Sequence, residues 1–402
     1  MKHKIVIVGG GFAGIQAARK LARFSFNDAE ITLISNKTYF EYYPGLYRVV
    51  TSASPIEVAI PLSDVLPSRV DSIHDVVHII DPIKKEIIAR DNVYTYDSLI
   101  LALGSELNDF GIPGVFEHSY IFRSVKDALK IKQAISNLVL SCPRSGLPES
   151  CYQVVVVGGG PTGVELAGDI VSHLEDLVVK TGISKNVVQV NLIDASPRIL
   201  STLPEEVSRI ATKKLENLGV VVRNNIRISK ITENSVIAGE LVIPARLVIW
   251  SGGVKPNSLY QSIPNVTLSK NGRVVVDEYL RAMPYEDVYV IGDGADTPKS
   301  GLAQTALTDG LYVAQVINRG LIGIKPKKYK SKFTAHVIPI GSKNGIVSIG
   351  PLTFSGRIAY WLRHFIDFDF FSGWLSLPKI LDLFWDGYKY RKLHEDDEEP
   401  TK

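Results

Sequence analysis

Gly9, Gly11 and Gly14 stand in KIVIVGGGFAGIQAARKLARF (4–24), and Gly158, Gly160 and Gly163 repeat their spacing in YQVVVVGGGPTGVELAGDIVSHL (152–174). The chemistry that asks for this spacing is the binding of a pyrophosphate. The first glycine permits a tight turn, the second lets backbone approach the phosphates, and the third lets a helix pack closely on a strand. Free N–H groups and the positive end of the helix dipole then face the anion. In both stretches an apolar run precedes the glycines and an amphipathic run follows, so strand and helix stand where that chemistry needs them. Two dinucleotide sites in one chain imply two nucleotides that meet. Redox chemistry is the economical reason, with one a resident flavin and the other a passing nicotinamide.

The strand after each glycine unit carries the next signal. VVQVNLID (187–194) ends in Asp194, where a carboxylate accepts hydrogen bonds from an adenosine ribose and repels a 2′-phosphate, favouring NADH over NADPH. Arg198 lies close enough in sequence to soften that preference. EITLIS (30–35) ends instead in Ser35, so the first ribose contact is neutral or supplied elsewhere, by Lys37 or by backbone. Three further apolar strands with glycine-rich exits follow: YDSLILALGSELNDFGIPG (96–114), ARLVIWSGGVKPN (245–257) and VYVIGDGAD (288–296). The first and third belong with the first glycine unit and the second closes the second unit. The expected fold is therefore α/β, with two Rossmann-like dinucleotide-binding domains and the NAD domain inserted in the FAD domain. The boundaries read as 1–114 and 266–325 for the two parts of the FAD domain, 115–265 for the NAD domain, and 326–402 for a C-terminal region.

Composition sets the outer limits. A chain of 402 residues is long enough for two or three domains with buried cores. A net charge of +3 is too weak to argue for nucleic acid, although the acidic tail EDDEEPTK (395–402) leaves the rest of the chain more basic than the whole. The two cysteines, Cys142 and Cys151, lie in a linker-like stretch and form neither a disulfide framework nor a metal box. The eight histidines are scattered without metal spacing, so no metal is expected. The N-terminus runs straight into a strand, with no signal-peptide pattern.

The motifs VGGGFAG, YFEYYPGLYRV, LILALGS, VVGGGPTGVELAG, IDASPRIL, VIWSGGVKPN, VYVIGDGAD and AQTA occur in an order that resembles one family. It is the type II NADH:quinone oxidoreductases, single-subunit and non-proton-pumping enzymes among the FAD-dependent pyridine nucleotide-disulfide oxidoreductases. The resemblance covers nearly the whole chain. It implies that hydride passes from NADH to FAD and two electrons pass on to a membrane quinone. It implies an FAD site from Gly9, Gly11, Gly14, Lys37, Val77, Gly104, Gly292, Asp293, Gly294 and Ala303, with Asp293 on the ribityl chain. Gly158, Gly160, Gly163 and Asp194 would take NADH. Glu165 would sit near the nicotinamide–flavin contact, tuning the flavin or relaying protons; the alternative is a first-turn helix acid that complements the dipole.

Gln304 would hydrogen-bond a quinone carbonyl from the start of a helix beginning at about Leu302, or simply fill that helix start. The family's quinone pattern has a second amide where this chain has Thr308, and Asp169 stands where glutamate is commoner. Three other readings compete: reduction of a soluble iron–sulfur carrier, an NADH-sensing signalling flavoprotein, and sulfide:quinone chemistry. The last is disfavoured because it relies on cysteines near the flavin, and disulfide reduction needs a dithiol pair that neither glycine helix supplies.

Residues 353–392 read as a membrane-surface region. Ile358, Trp361, Leu362, Phe365 and Ile366 follow an amphipathic helical stripe, and Leu377, Leu381, Phe384, Trp385 and Tyr388 give a second after breaks at Ser372–Gly373 and Pro378. Tryptophans interspersed with arginines and lysines suit a helix lying in the headgroup plane. The expected location is the cytoplasmic face of a membrane, peripherally bound. Packing on the catalytic domains or a homodimer interface is the competing use of the same stripes.

Overall fold

The computed structural model describes residues 2–24, 29–141, 153–181, 188–331 and 335–395. The linker cysteines Cys142 and Cys151 and all but the first residue of the acidic tail lie outside them. The chain divides into two compact units. The first comprises residues 1–41, 60–107 and 254–334, and the second residues 42–59, 108–253 and 335–402.

The first unit is built on a five-stranded parallel sheet. Its order is Val288–Val290, Ser98–Leu101, His3–Val8, Ala29–Ser35, Val70–His74. The central strands are near-continuous apolar runs because both faces are covered, as a parallel sheet requires, whereas the edge strand Val70–His74 exposes Asp71, Ser72 and His74. The chain starts in the middle of the sheet and winds outward in both directions, which leaves a crevice at the carboxyl end of His3–Val8. The helix Phe12–Ala22 leaves from that end. Against it lies the helix Ala303–Leu321, whose Gly310 is so close that a Cβ there would come within 2.4 Å of the Ala13 carbonyl oxygen.

The second unit repeats the plan. Its parallel sheet runs Tyr120–Ile121, Leu247–Trp250, Gln153–Val157, Gln189–Ile193, Val221–Arg223, again with the glycine-turn strand in the middle. The helix Pro161–Thr181 follows the turn. The C-terminal residues belong to this unit: an antiparallel meander of His336–Ile340, Asn344–Ile349 and Leu352–Gly356, then the helices Arg357–Trp374 and Leu377–Glu395.

The expected break at Ser372–Gly373 is not where the helix ends. The helix continues through both residues to Trp374, and the interruption falls at Leu375–Ser376. An interior glycine costs a helix only about 1 kcal/mol, and burial of Phe371 and Trp374 offsets it. Pro378 sits in the first turn of the next helix, where its missing N–H has no intrahelical partner to lose.

Candidate active site

The two glycine turns are superposable in their logic. A Cβ at Gly9 would come within 2.1 Å of the Ala102 carbonyl oxygen, and one at Gly14 within 2.0 Å of the Gly9 carbonyl oxygen. The corresponding clashes in the second turn are 2.7 Å from Gly158 to the Gly252 Cα and 1.8 Å from Gly163 to the Gly158 carbonyl oxygen. These outer glycines are demanded by the packing of the protein itself. The middle glycines are not: a Cβ at Gly11 or Gly160 would meet nothing within 4 Å. Each turn thus keeps an open approach to bare backbone at the start of a helix, the space a pyrophosphate needs.

The next corner differs between the turns. In the second, Asp194 accepts hydrogen bonds from the Gly159 N–H at 2.5 Å and the Ser196 N–H at 2.6 Å, which fixes the carboxylate beside the turn. In the first, the same corner is held by buried Ser35, whose hydroxyl accepts from the Lys37 N–H at 3.1 Å. The Lys37 ammonium is bound by the buried carboxylate of Glu41. The acid missing from position 35 therefore returns six residues later, as the partner of Lys37. Sequence reading passed over Glu41 because it sits in an aromatic stretch, YFEYY, with no spacing signal.

Asp293 occupies a single 3-10 turn, Gly292–Gly294, at the exit of Val288–Val290. Its carboxylate accepts from the Ser105 hydroxyl at 2.6 Å, just after Gly104, and its carbonyl from Arg273 Nε at 3.2 Å. Gly104 has φ +70° and open space where a Cβ would stand. Val77 opens a strand of a separate antiparallel sheet and packs, partly buried, against the core formed by Val6, Val8, Leu99, Leu101, Val288 and Val290 of the first sheet.

The helix after this turn begins at Ala303, one residue beyond expectation, with Leu302 as a cap that supplies no side-chain acceptor. Gln304 is exposed in its first turn. The Thr308 hydroxyl donates to the Gln304 carbonyl oxygen at 2.9 Å, so it is committed to its own helix. Asp309, one position on, was not singled out by the sequence. It is fully buried and accepts from the Gly292 N–H at 3.0 Å and the Tyr329 hydroxyl at 2.6 Å. Burial pushes its carboxyl up to about 6. It ties the Gly292–Gly294 turn to the helix.

Glu165 lies at the centre of a charge cluster within the second unit. Its helix starts at Pro161 and has no acid in its first turn, so Glu165 is not the dipole-complementing acid considered as an alternative. Asp169 is one turn further along the same face. The short helix Leu46–Thr51 contributes Tyr47, Arg48 and Thr51, and the C-terminal helix Arg357–Trp374 contributes Arg363, His364 and Asp367. Asp367 accepts from Arg48 Nη2 at 2.8 Å and from the Tyr42 hydroxyl, and pairs with Arg363 Nε at 3.2 Å. Arg363 Nη2 also donates to the Pro44 carbonyl oxygen at 2.6 Å, and the Thr51 hydroxyl donates to Asp169.

Burial pushes the Glu165 carboxyl up to about 7; Arg363 and Arg48 pull it down, while Asp367 and Asp169 push it up. Burial likewise raises Asp169 to about 6, against the pull of Thr51 and Arg48. Burial lowers His364, with Arg48 adding to the effect. The cluster can hold and release a proton near neutrality without a metal; among the described residues no group of histidine, cysteine and acidic side chains forms a metal site. Tyr47 and Arg48 fall in a motif read from the sequence. Arg363, read from the sequence among the cations of a headgroup-facing helix, turns inward instead, and Asp367, its i, i+4 partner, carried no sequence signal.

Residues 3–310 match the pyridine nucleotide-disulphide oxidoreductase family. The chain is 30% identical over 388 residues to a type II NADH:quinone oxidoreductase of Mycobacterium tuberculosis, covering 90% of this chain and 83% of the relative. The chain belongs to that family, and within it to the type II NADH:quinone oxidoreductases. The type II enzyme of Staphylococcus aureus MSSA476 is 28% identical over 384 residues, covering 91% of this chain and 94% of the relative. The solved structure of NDH2 from Plasmodium falciparum in complex with NADH shares the fold at a TM-score of 0.85 and 20% identity, over 97% of this chain and 98% of that one. The type II character fits the cysteine inventory: neither Cys142 nor Cys151 is on a glycine-turn helix, so the dithiol behind the wider family's name has no counterpart there.

Proposed function

We propose that this chain oxidises NADH through bound FAD and reduces a membrane quinone, without pumping protons. The observation that carries the reading is the pair of dinucleotide turns, each with a middle glycine that nothing in the chain requires. Gly9, Gly11 and Gly14 hold the FAD pyrophosphate, with Asp293 and Gly292 at the ribityl chain and Lys37, Val77, Gly104, Gly294 and Ala303 completing the site. Gly158, Gly160, Gly163 and Asp194 hold NADH, the Asp194 carboxylate disfavouring a 2′-phosphate. FAD, when bound, accepts the hydride of NADH and passes two electrons to the quinone. The balance is NADH, one proton and quinone giving NAD⁺ and quinol, so one proton must come from the protein or solvent. Glu165, poised to titrate at about 7, is the group that holds it.

Steady-state turnover tests the reading. NADH oxidation with a soluble short-chain quinone supports it; turnover only on addition of a small iron–sulfur protein replaces it with the carrier-reductase reading. Gln304 contacts the quinone carbonyl, with Thr308 contributing little because its hydroxyl is engaged in its own helix. Gln304→Ala is expected to raise the quinone KM about tenfold, the worth of one hydrogen bond. An unchanged KM makes Gln304 a helix-start residue only.

The membrane contact is residues 353–392, lying on the cytoplasmic face of the bilayer. No helix among the described residues is long and apolar enough to cross a membrane. Ile358, Trp361, Phe365 and Phe368 are exposed along one face of Arg357–Trp374, and Leu377, Leu381 and Trp385 along the next helix. Trp361→Ser with Phe365→Ser is expected to weaken binding to anionic vesicles by roughly tenfold or more per residue. If vesicle binding holds while a dimer in solution dissociates, the face joins two copies instead. Truncation after Gly350 is a poorer test, since it also removes Arg363 and Asp367 from the Glu165 cluster.

A further inference from the structure

We propose that Asp367 is a positioning residue for proton supply: it gathers Arg48 and Arg363 into one ion-paired cluster and neutralises them, so that Glu165 keeps its proton. The inference rests on the reading of Glu165 as proton donor, and the test below separates the two.

Asp367 is buried although it is charged, while Asp369, two positions on in the same aromatic-rich helix, is exposed. Among the described residues, the partners of its carboxylate all belong to this cluster. Arg48 reaches one oxygen at 2.8 Å, Arg363 stands 3.2 Å from the other, and the Tyr42 hydroxyl donates to that second oxygen as well. Tyr42 is fixed in turn by stacking on Phe370, with ring centroids 5.0 Å apart. A buried acid with two cations and a hydroxyl on it orients those cations.

The charges facing Glu165 come from three elements. Its own helix brings Asp169, the helix Leu46–Thr51 brings Tyr47 and Arg48, and the C-terminal helix brings Arg363 and Asp367. The other elements against its helix add little charge. The strands Gln153–Val157 and Gln189–Ile193 carry none, and His336 is the one titratable group of His336–Ile340. The helix Glu205–Asn217 carries three acids, Glu205, Glu206 and Glu216, balanced by Arg209, Lys213 and Lys214; Arg209 pairs with Glu206, and Lys214 donates to Asn344.

Without Asp367, two guanidinium groups would remain beside Glu165 and Asp169 with only those carboxylates to neutralise them. Both arginines act to ionise Glu165, and Asp367 acts against ionisation. The same helix turns Trp361 and Phe365 outward and Asp367 inward, so one element carries both the apolar face and the group that guards the proton.

The test is difference infrared spectroscopy of the FAD-loaded enzyme across pH, following the protonated carboxylic acid band that Glu165→Gln removes. Asp367→Asn is expected to lower the midpoint of that band by about one unit or more, and Arg363→Gln to raise it. Asp367→Glu, which keeps the charge, is expected to return the midpoint towards that of the unaltered enzyme. Loss of packing alone would not move the two neutralising variants in opposite directions. An unmoved midpoint in folded Asp367→Asn overturns the inference. If Asp367→Asn does not fold, Arg363→Gln decides, and an unmoved or lowered midpoint overturns it. If the midpoints shift as expected but the pH profile of quinone turnover does not follow, Glu165 is not the proton donor, and Asp367's hold on its proton stands.

Discussion

Gly11→Val is expected to yield a folded protein that purifies without flavin colour. A side chain at Gly11 meets nothing in the chain within 4 Å, and the backbone there, at φ −93°, is one that valine adopts without strain. The fold therefore has no reason to object, and the melting temperature of the apoprotein should hold. The bound pyrophosphate does object, because the added side chain fills the approach to the helix start. Gly160→Val places the same obstacle in the second turn, where the expected result is retained FAD and an NADH KM raised by about tenfold or more. Gly14→Val is the control for packing: its Cβ would fall 2.0 Å from the Gly9 carbonyl oxygen, so that variant should fail to fold. Flavin content, melting temperature and KM check all three. Flavin retained at full occupancy in Gly11→Val would remove the first turn from the cofactor site.

Glu165→Gln is expected to reduce quinone turnover at neutral pH by about a hundredfold, within the range of a lost general acid. Glutamine keeps the size and polarity of the side chain but cannot release a proton. The sign of the pH effect follows from the raised pKa. Below about 7 Glu165 is protonated and able to donate; as pH rises through that value the proton is lost and turnover falls. That limb should vanish in Glu165→Gln, while FAD content and NADH KM stay near those of the unaltered enzyme. Unchanged turnover with an unchanged pH profile would make Glu165 a structural residue.

Both glycine turns were legible in the sequence because their signal is local: an apolar strand, three glycines and a helix in immediate succession. Five of the sheet strands, His3–Val8, Ser98–Leu101, Gln153–Val157, Leu247–Trp250 and Val288–Val290, were legible for the same reason, each being a short apolar run that leads into glycine. The edge strands Val70–His74 and Val221–Arg223 carry no such signal. What could not be read was assembled from distant segments. Arg48 and Asp367 are 319 positions apart, and on a helix read for its apolar stripe nothing in the sequence separates buried Asp367 from exposed Asp369. Asp309 was hidden likewise, its partners Gly292 and Tyr329 lying on either side of its helix. Ser35 was recognised as a departure, but the compensating Glu41 was not, since a buried acid has no periodicity to reveal it. The helix end at Trp374 was misplaced because local propensity at Ser372–Gly373 gave way to the burial of Phe371 and Trp374.

The most direct test of electron passage from NADH through bound FAD to quinone is the visible absorption spectrum of the purified protein, titrated anaerobically with NADH and then with a short-chain quinone. The expected result is flavin absorbance that NADH bleaches in equal stoichiometry and quinone restores without any other protein present. Absence of flavin, failure of NADH to bleach it, or failure of quinone to restore it would contradict the account.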